Sequence, residues 1–402
     1  MSAKPSLCHR HSFLLTLKNN DTQMIESIDI QNYKNIESLS IKGLKRINLF
    51  AGENNIGKTT LLEAIGIICS GGSLKVFEEI LNMRGEIPNF VYRDGIGINQ
   101  QITTEQNITI FASLFKDRKI DNIAMSKILI SAKGNDIQKG NADNAVKVSF
   151  ELNEEPVIQL GKHPSHQNKS KKESTAKNRI SEAPISITIN ENAFSLSDGS
   201  IFGRLNARLP SQRKSNLQFI WSGGIDKENN ANLWDEISAT DEEVYVIDAL
   251  KIIEADIERL TFIQVQENSP FRTPEVKLKG QNRVPLRGMG DGINRILTII
   301  LSMVNARNGY LLIDEFENGL HYKVQHSVWK LISELAERLN VQVFATTHST
   351  DCIRAFGEVI DEKGKPENGT FIRLAKKDGK IGMVDFDADE IKVSIDQKIE
   401  LR

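Results

Sequence analysis

The sequence predicts an α/β fold, a mixed central sheet flanked by helices, with an antiparallel β subdomain and a helical insertion. Three observations carry this prediction. A strand–loop–helix unit at 47–69 encloses GENNIGKT, an apolar run at 310–313 ends in Asp-Glu, and the last third of the 402 residues alternates helix and strand. Such alternation is the pattern of an α/β fold.

Composition sets the bounds. Hydrophobic residues make up 39% and charged residues 26%, globular proportions that exclude wholesale disorder. Lys and Arg number 51 against 53 Asp and Glu, a net charge of −2. That excludes a globally basic nucleic-acid coat and leaves local basic patches open. Cys8, Cys69 and Cys352 are scattered and odd in number, which excludes a disulfide framework and a Cys-rich zinc site and suits a reducing cytoplasm. The longest apolar stretches, 61–69 and 296–304, are nine residues each, short of the roughly 20 that span a bilayer. The apolar patch at 12–17 is too short for a signal-peptide core. The expectation is a cytoplasmic protein without a membrane partner.

The elements follow in order. Residues 1–23 are polar without a period and are expected to be a disordered extension or a mis-annotated start, with translation beginning at Met24. From there MIESIDIQNYKNIESLSI alternates apolar and polar, which predicts half-buried strands with Ile28, Ile30, Leu39 and Ile41 on one side. INLFAGENNIGKTTLLEAIGIIC (47–69) reads as strand, loop and helix. NITIFASLF (107–115), AVKVSFEL (145–152) and ISITI (185–189) read as strands of an antiparallel sheet. HPSHQNKSKKESTAKNR (163–179) is basic and free of aromatics; a solvated loop and a DNA-phosphate contact both fit it.

TDEEVYVIDALKIIEADIERL (240–260) places Val244, Ile247, Leu250, Ile253, Ile257 and Leu260 at three- and four-residue steps. This predicts an amphipathic helix, capped by Thr240 with Glu243 completing a capping box. A helix near 290–305, a strand at 310–314, a helix at 320–338, a strand at 341–346 and a hairpin over 370–386 turning at Asp378–Gly379 complete the chain. The expected organisation is an N-lobe at 24–160, a flexible basic loop at 161–180, an insertion at 181–240 and a C-lobe at 241–402.

The chemistry starts at Gly52, Glu53, Asn54, Asn55, Ile56, Gly57, Lys58 and Thr59, a complete G-x-x-x-x-G-K-[ST] phosphate loop, with Thr60 next in the helix. Glycines let backbone amides turn toward phosphate oxygens, and the helix start adds its positive dipole end. Lys58 is expected at the β- and γ-phosphates and Thr59 on magnesium, so the cofactors are ATP and Mg2+. YLLIDEFENGLH (310–321) is the complementary half. Asp314 is expected to hold magnesium through water, and Glu315 to polarise the attacking water. A purely structural role would leave two adjacent carboxylates at a buried strand end without partners. Lys58 and Asp314 lie 256 residues apart, so a large insertion separates the two halves.

LRGMGDGINRIL (286–297) is a Gly-rich loop entering a helix, 22 residues from Gly292 to Asp314. Gly288, Met289, Gly290, Asp291 and Gly292 there form a candidate anion site; a plain flexible loop is the alternative. VQVFATTHST ends a strand at His348, 33 residues after Glu315. A lone histidine suits a structural role, but beside the Asp-Glu strand it can contact the γ-phosphate.

The order phosphate loop, Gly-rich signature, Asp-Glu strand and histidine strand resembles the ABC-type ATPases. Within them it is similar to the SMC and RecF heads, and most closely to the ATPase module of the OLD (overcoming lysogenization defect) family, over roughly 24–402. IESIDIQNYKNI, IDALKIIEADIERL, RLAKKDGKIGMVDFDADEI and IELR share that style. The resemblance implies a P-loop NTPase of ABC-ATPase head type and a composite site across a nucleotide-sandwiched homodimer, or a higher homo-oligomer. One subunit would offer Gly52–Thr59, Asp314, Glu315 and His348; the other would offer the Gly288–Gly292 loop to the γ-phosphate.

Three departures stand out. Gly288 takes the signature position where serine is frequent, which removes a hydroxyl from the γ-phosphate. No clear glutamine loop is visible, with Gln100 and Gln101 the candidates. Sixteen residues follow Phe386, too few for the TOPRIM nuclease of larger OLD members. His321, in the loop after the acidic pair, could face the neighbouring site or cap the next helix; Arg295 could pair with an acid or touch nucleotide.

The functional expectation is an ATP-hydrolysing switch that dimerises around ATP and controls a DNA-related or antiviral-defence effector, a separate nuclease or toxin, with DNA a possible partner. The alternative is a nucleotide-dependent scaffold or sensor holding that partner, with hydrolysis incidental. A membrane-transporter motor would need an LSGGQ-type signature, and a metabolic kinase would leave the Gly-rich loop and His348 unexplained.

Overall fold

Strand β1 (Ser27–Tyr33) pairs antiparallel with β2 (Ile36–Lys42), Ile28 opposite Ile41 and Ile30 opposite Leu39. All four side chains are buried, as the alternation predicts. The computed structural model describes residues 24–87, 104–118, 127–134, 144–152, 185–190, 192–195, 216–223, 227–238, 240–264, 272–290, 292–362, 368–377, 379–386, 390–391 and 393–394. The predicted tail at 1–23, the basic stretch at 163–179, Gln100, Gln101 and Asp291 lie outside the described residues.

The hairpin opens a six-stranded antiparallel sheet in the order β2-β1-β4-β5-β6-β7, with β4 Lys127–Lys133, β5 Asn144–Leu152, β6 Ile185–Ile189 and β7 Asn192–Ser195. A second six-stranded sheet runs β15-β14-β3-β13-β12-β8. Its strands are β3 Ile47–Ala51, β8 Leu217–Ile220, β12 Tyr310–Ile313, β13 Gln342–Thr346, β14 Gly369–Lys377 and β15 Lys380–Phe386. All its pairings are parallel except the β14–β15 hairpin at the edge. The register sets Lys377 opposite Lys380 and Gly379 lies in a turn; Asp378, the other residue of the expected turn, lies outside the described residues. A third sheet, β11-β10-β9, is antiparallel; it comprises β9 Ile257–Gln264, β10 Arg272–Leu278 and β11 Arg283–Pro285.

The mixed sheet divides two cores. Leu49, Leu311, Ile313, Val343 and Ala345 face one core, which holds α6 (Gly292–Asn305), α7 (Tyr322–Arg338), α8 (Thr350–Glu362) and the third sheet. Phe50, Leu312 and Phe344 face the other, which holds α1 (Lys58–Cys69) and the antiparallel sheet. Burial on both faces explains why β3, β12 and β13 read as continuous apolar runs. Of the described residues within 181–240, 185–189 and 192–195 join the antiparallel sheet, 217–220 the mixed sheet, and α4 (Lys227–Ile237) packs on α6.

Two sequence expectations need correction. Residues 107–115 are not a strand. Helix α3 (Thr104–Ala112) follows α2 (Leu74–Met83) in the described chain, and Ile110, Phe111, Leu114 and Phe115 are buried. Their spacing fits one face of a helix, but the β-branched and aromatic content masks it.

The helix expected over 240–260 ends early, as α5 (Glu243–Ile253), and Ile257 and Leu260 belong to β9. A register irregularity at Lys277/Leu278 lets both side chains reach one core, so a bulged strand copied the three-residue step of a helix. Thr240 does not cap α5: the N-cap is Glu242, without a side-chain bond, and the Thr240 hydroxyl accepts the Glu242 amide at 3.2 Å. Val244, expected inward, is 56% exposed.

Candidate nucleotide site

Three parallel neighbours, β3, β13 and β12, end together, and the loops beyond them carry Gly52–Thr59, Asp314, Glu315 and His348. This is the position where open α/β sheets bind ligands. After β3 the chain turns through Gly52 at φ +147°, where a Cβ would lie 2.6 Å from the Leu374 carbonyl oxygen. It then passes Asn55 at φ +61° and Gly57 at φ +109°. The Lys58 ammonium donates to the carbonyls of Gly52 at 2.8 Å and Glu53 at 3.0 Å, which closes the loop on itself and leaves a third proton for a ligand. Burial pushes Lys58 below its usual range, against the pull of Glu317, Asp314 and Glu315.

Helix α1 starts bare. Gly57 offers no side-chain cap, the first turn holds no acid, and the earliest backbone bond into the helix is Leu61 N–H to the Gly57 carbonyl at 2.8 Å. The amides ahead of Leu61 have no carbonyl one turn back to receive them, which makes this terminus a seat for an anion.

Beside this seat, the Thr59 hydroxyl lies 3.0 and 3.1 Å from the two Asp314 oxygens. Asp314 is 2% exposed and also accepts the Thr346 hydroxyl at 2.8 Å. Burial pushes its carboxyl up, opposed by hydrogen bonds from Thr346, Thr59 and Ser222. Among the described residues no group of three His, Cys, Asp or Glu side chains forms a metal cage. One hydroxyl and one carboxylate suit Mg2+, which keeps several waters and takes phosphate oxygens as further ligands.

Glu315 sits at φ +48°, an uncommon conformation for a non-glycine residue and one that gathers at functional sites. Its neighbours hold it there. The Glu315 amide donates to the Thr346 hydroxyl oxygen at 2.9 Å, and the Arg295 guanidinium donates to the carbonyls of Asp314 and Glu315, each at 3.2 Å. Its carboxylate accepts Asn318 Nδ2 at 2.6 Å. Both acids of the pair therefore have partners within the chain, contrary to the expectation that a structural role would leave them without any.

An open cleft of ≈ 680 Å3 is lined by Asn54 to Thr60, Asp314 and Glu315, together with Lys34, Arg84, Phe115, Arg118 and Lys376 among others. Five cationic side chains face it against the carboxylates of Glu86, Asp314 and Glu315, a balance suited to a polyanion. Gly288, Met289, Gly290, Gly292 and His348 are not among the described residues lining it. Gly288 and Met289 lie in the turn Leu286–Met289, and Gly292 opens α6. His321 caps α7 through its Nδ1, which accepts the Lys323 amide at 3.3 Å.

Several residues of the site were not singled out in the sequence. Glu63, 0% exposed, accepts Lys34 Nζ at 2.8 Å, Arg84 Nε at 2.6 Å and the Tyr33 hydroxyl at 3.3 Å; a lone charge inside LLEAIGIIC was the available signal. Thr346 and Glu317 tie the Asp-Glu loop to the histidine loop, and Ser222 reaches Asp314 from the end of β8; only the parallel pairing of these strands brings them together.

Residues 47–351 match the family described as "AAA domain, putative AbiEii toxin, Type IV TA system". Over 368 residues the chain is 23% identical to an "ATP/GTP phosphatase" of Helicobacter pylori, covering 85% of this chain and 89% of that protein. A DNA replication and repair protein RecF of Teredinibacter turnerae is 26% identical over 132 residues, 32% of this chain and 28% of its own length. Among solved structures, the Smc head bound to the C-winged helix domain of ScpA aligns over 91% of this chain and 98% of its own, at 14% identity and TM-score 0.49. With the phosphate loop, the Asp-Glu strand and the strand order in place, the chain belongs to this AAA domain family.

Proposed function

We propose that the chain binds ATP with Mg2+ in the cleft and hydrolyses it as a molecular switch. The observation that carries this reading is the meeting of Thr59 with Asp314 at 3.0 Å beside a bare helix start and a half-satisfied lysine. Lys58 and the α1 amides would bind the phosphates, and Thr59 and Asp314 would hold the metal. When bound, Mg2+ would neutralise charge on the phosphate oxygens. Glu315 would orient and deprotonate the attacking water, with His348 at the terminal phosphate.

Among the described residues, Gly288, Met289, Gly290 and Gly292 lie outside the cleft lining, which supports use of this loop by a second copy. In a twofold dimer two such segments would close two sites. The nucleotide cycle would then control a separate effector, a nuclease or toxin, in the cytoplasm, with DNA a possible stimulus. Among the described residues no helix is long and apolar enough to cross a membrane. Lobe boundaries at 160, 180 and 240, and kinship with the OLD group, belong to the same reading.

One contact favours a second reading. The Glu315 carboxylate is engaged by Asn318 at 2.6 Å, which would slow hydrolysis until a partner releases it and fits a nucleotide-dependent scaffold. The test is phosphate release from ATP and GTP by wild type and Glu315→Gln, with and without double-stranded DNA. Turnover that rises with DNA and vanishes in the variant supports the switch. Slow, DNA-indifferent turnover lost in the variant supports the scaffold. Unaltered turnover in Glu315→Gln overturns both.

A further inference from the structure

The loop after β12 and the loop after β13 are joined by one buried carboxylate. Glu317, whose side chain is 10% exposed, accepts the Thr347 hydroxyl on Oε2 at 2.8 Å and the His348 backbone amide on Oε1 at 2.8 Å. The same Oε1 lies 3.0 Å from His348 Nδ1. Thr347, itself 0% exposed, accepts the Ser349 amide at 3.0 Å. The carboxylate therefore grips the backbone, the neighbouring side chain and the imidazole of one short segment.

We propose that Glu317 is a positioning residue of the hydrolytic site, acting through His348: it fixes the imidazole in one orientation and in the Nδ1–H tautomer. An ionised carboxylate can only accept, so the proton of the contact belongs to Nδ1. Nε2 is then the ring nitrogen left for a ligand, and in the neutral ring it is an acceptor. The His348 side chain is 42% exposed, and among the described residues its ring's closest polar partner is the Glu317 carboxylate at 3.0 Å. Because Glu317 stands three residues after Asp314 on a loop whose Phe316 amide donates to the Thr346 carbonyl at 2.9 Å, a shift of the Asp314–Glu315 turn carries His348 with it.

This inference rests on the reading of His348 as a member of the hydrolytic site, and the experiment separates the two. Phosphate release is measured for the full chain as wild type, Glu317→Ala, Glu317→Gln, His348→Ala and the Glu317→Ala/His348→Ala double variant. Long-range proton–nitrogen NMR of nitrogen-15 histidine-labelled wild type and Glu317 variants reports the His348 tautomer.

The expected result is an Nδ1–H ring in wild type that loses this tautomer in Glu317→Ala. With it, kcat should fall about 10–100-fold, the usual range for losing an orienting hydrogen-bond partner, at nearly constant KM. Glu317→Gln keeps one acceptor oxygen, so it should retain the fold and recover part of the rate; it also carries the test if Glu317→Ala does not fold. The double variant should be no slower than His348→Ala, because the residues act as one unit. An unchanged tautomer in Glu317→Ala, a Glu317→Gln variant at the full wild-type rate, or a double variant whose loss is the product of the two single losses overturns the proposal. Wild-type turnover in His348→Ala overturns the reading beneath it, whatever the NMR shows of the ring.

Discussion

The hydroxyl of Thr59 stands 3.0 Å from the carboxylate of Asp314, although 255 residues separate them in the chain. Strand β13 lies between β3 and β12 and pairs in parallel with both. That arrangement sets the start of α1 against the end of β12. The hydroxyl and the carboxylate together would form an oxygen pair able to anchor Mg2+ while leaving room for water and phosphate.

Asp314→Asn preserves the volume and removes the charge. Metal-borne charge stabilisation is worth several kcal/mol, so turnover should fall ~100-fold or more. Chelation by EDTA should do the same to wild type, with recovery on excess Mg2+. Full activity after chelation would remove the metal role of this pair.

Lys58→Ala deletes a charge-assisted donor at the loop. Such a bond contributes about 1.5–3 kcal/mol, so the nucleotide Kd should rise roughly 10–100-fold by calorimetry. A Kd equal to wild type would place the phosphates elsewhere.

Glu315→Gln removes the base but retains the side chain's size and its place at φ +48°. Nucleotide binding should persist while phosphate release falls about 100-fold or more, the scale of general-base catalysis. In light scattering the variant should accumulate as an ATP-dependent dimer; a monomer at saturating ATP would speak against the composite site.

Glu63→Ala tests the support beneath the cleft. Its removal leaves Lys34 and Arg84 without their shared buried counter-charge. Breaking a buried ion pair costs about 3–5 kcal/mol, and the low end is expected because the Arg84 side chain is 38% exposed. Urea unfolding measures it, and a change under 1 kcal/mol would contradict the role.

Gly288→Ser restores the hydroxyl missing from the signature. A Cβ there meets nothing within 4 Å, so stability should stay within about 0.5 kcal/mol. Turnover should rise if Gly288 faces the γ-phosphate of a second copy, and stay level if it does not.

The phosphate loop was legible because its chemistry is local: a tight turn needs its glycines, and the lysine and threonine follow at fixed steps. The Asp-Glu strand was legible for a similar reason, since a strand buried on both faces must be apolar until its end. Residues 107–115 and 257–260 misled because side-chain type and spacing are shared between helix and strand, and the decision fell to packing. Ile110 and Phe111 are held in a helix by the core they fill, and Ile257 and Leu260 in a strand by pairing with β10.

The sequence by itself determined the Gly-rich loop before a helix, the acidic pair at a strand end and the apolar strands, all consequences of neighbouring residues. Tertiary structure alone decided which distant groups share a site: Thr346 between Asp314 and Glu315, Glu317 on His348, and Lys34 and Arg84 on Glu63. A buried carboxylate has to be neutralised or hydrogen-bonded wherever it lies. Which residue answers it is set by the parallel register of β3, β13 and β12, and no local pattern in the chain encodes that register.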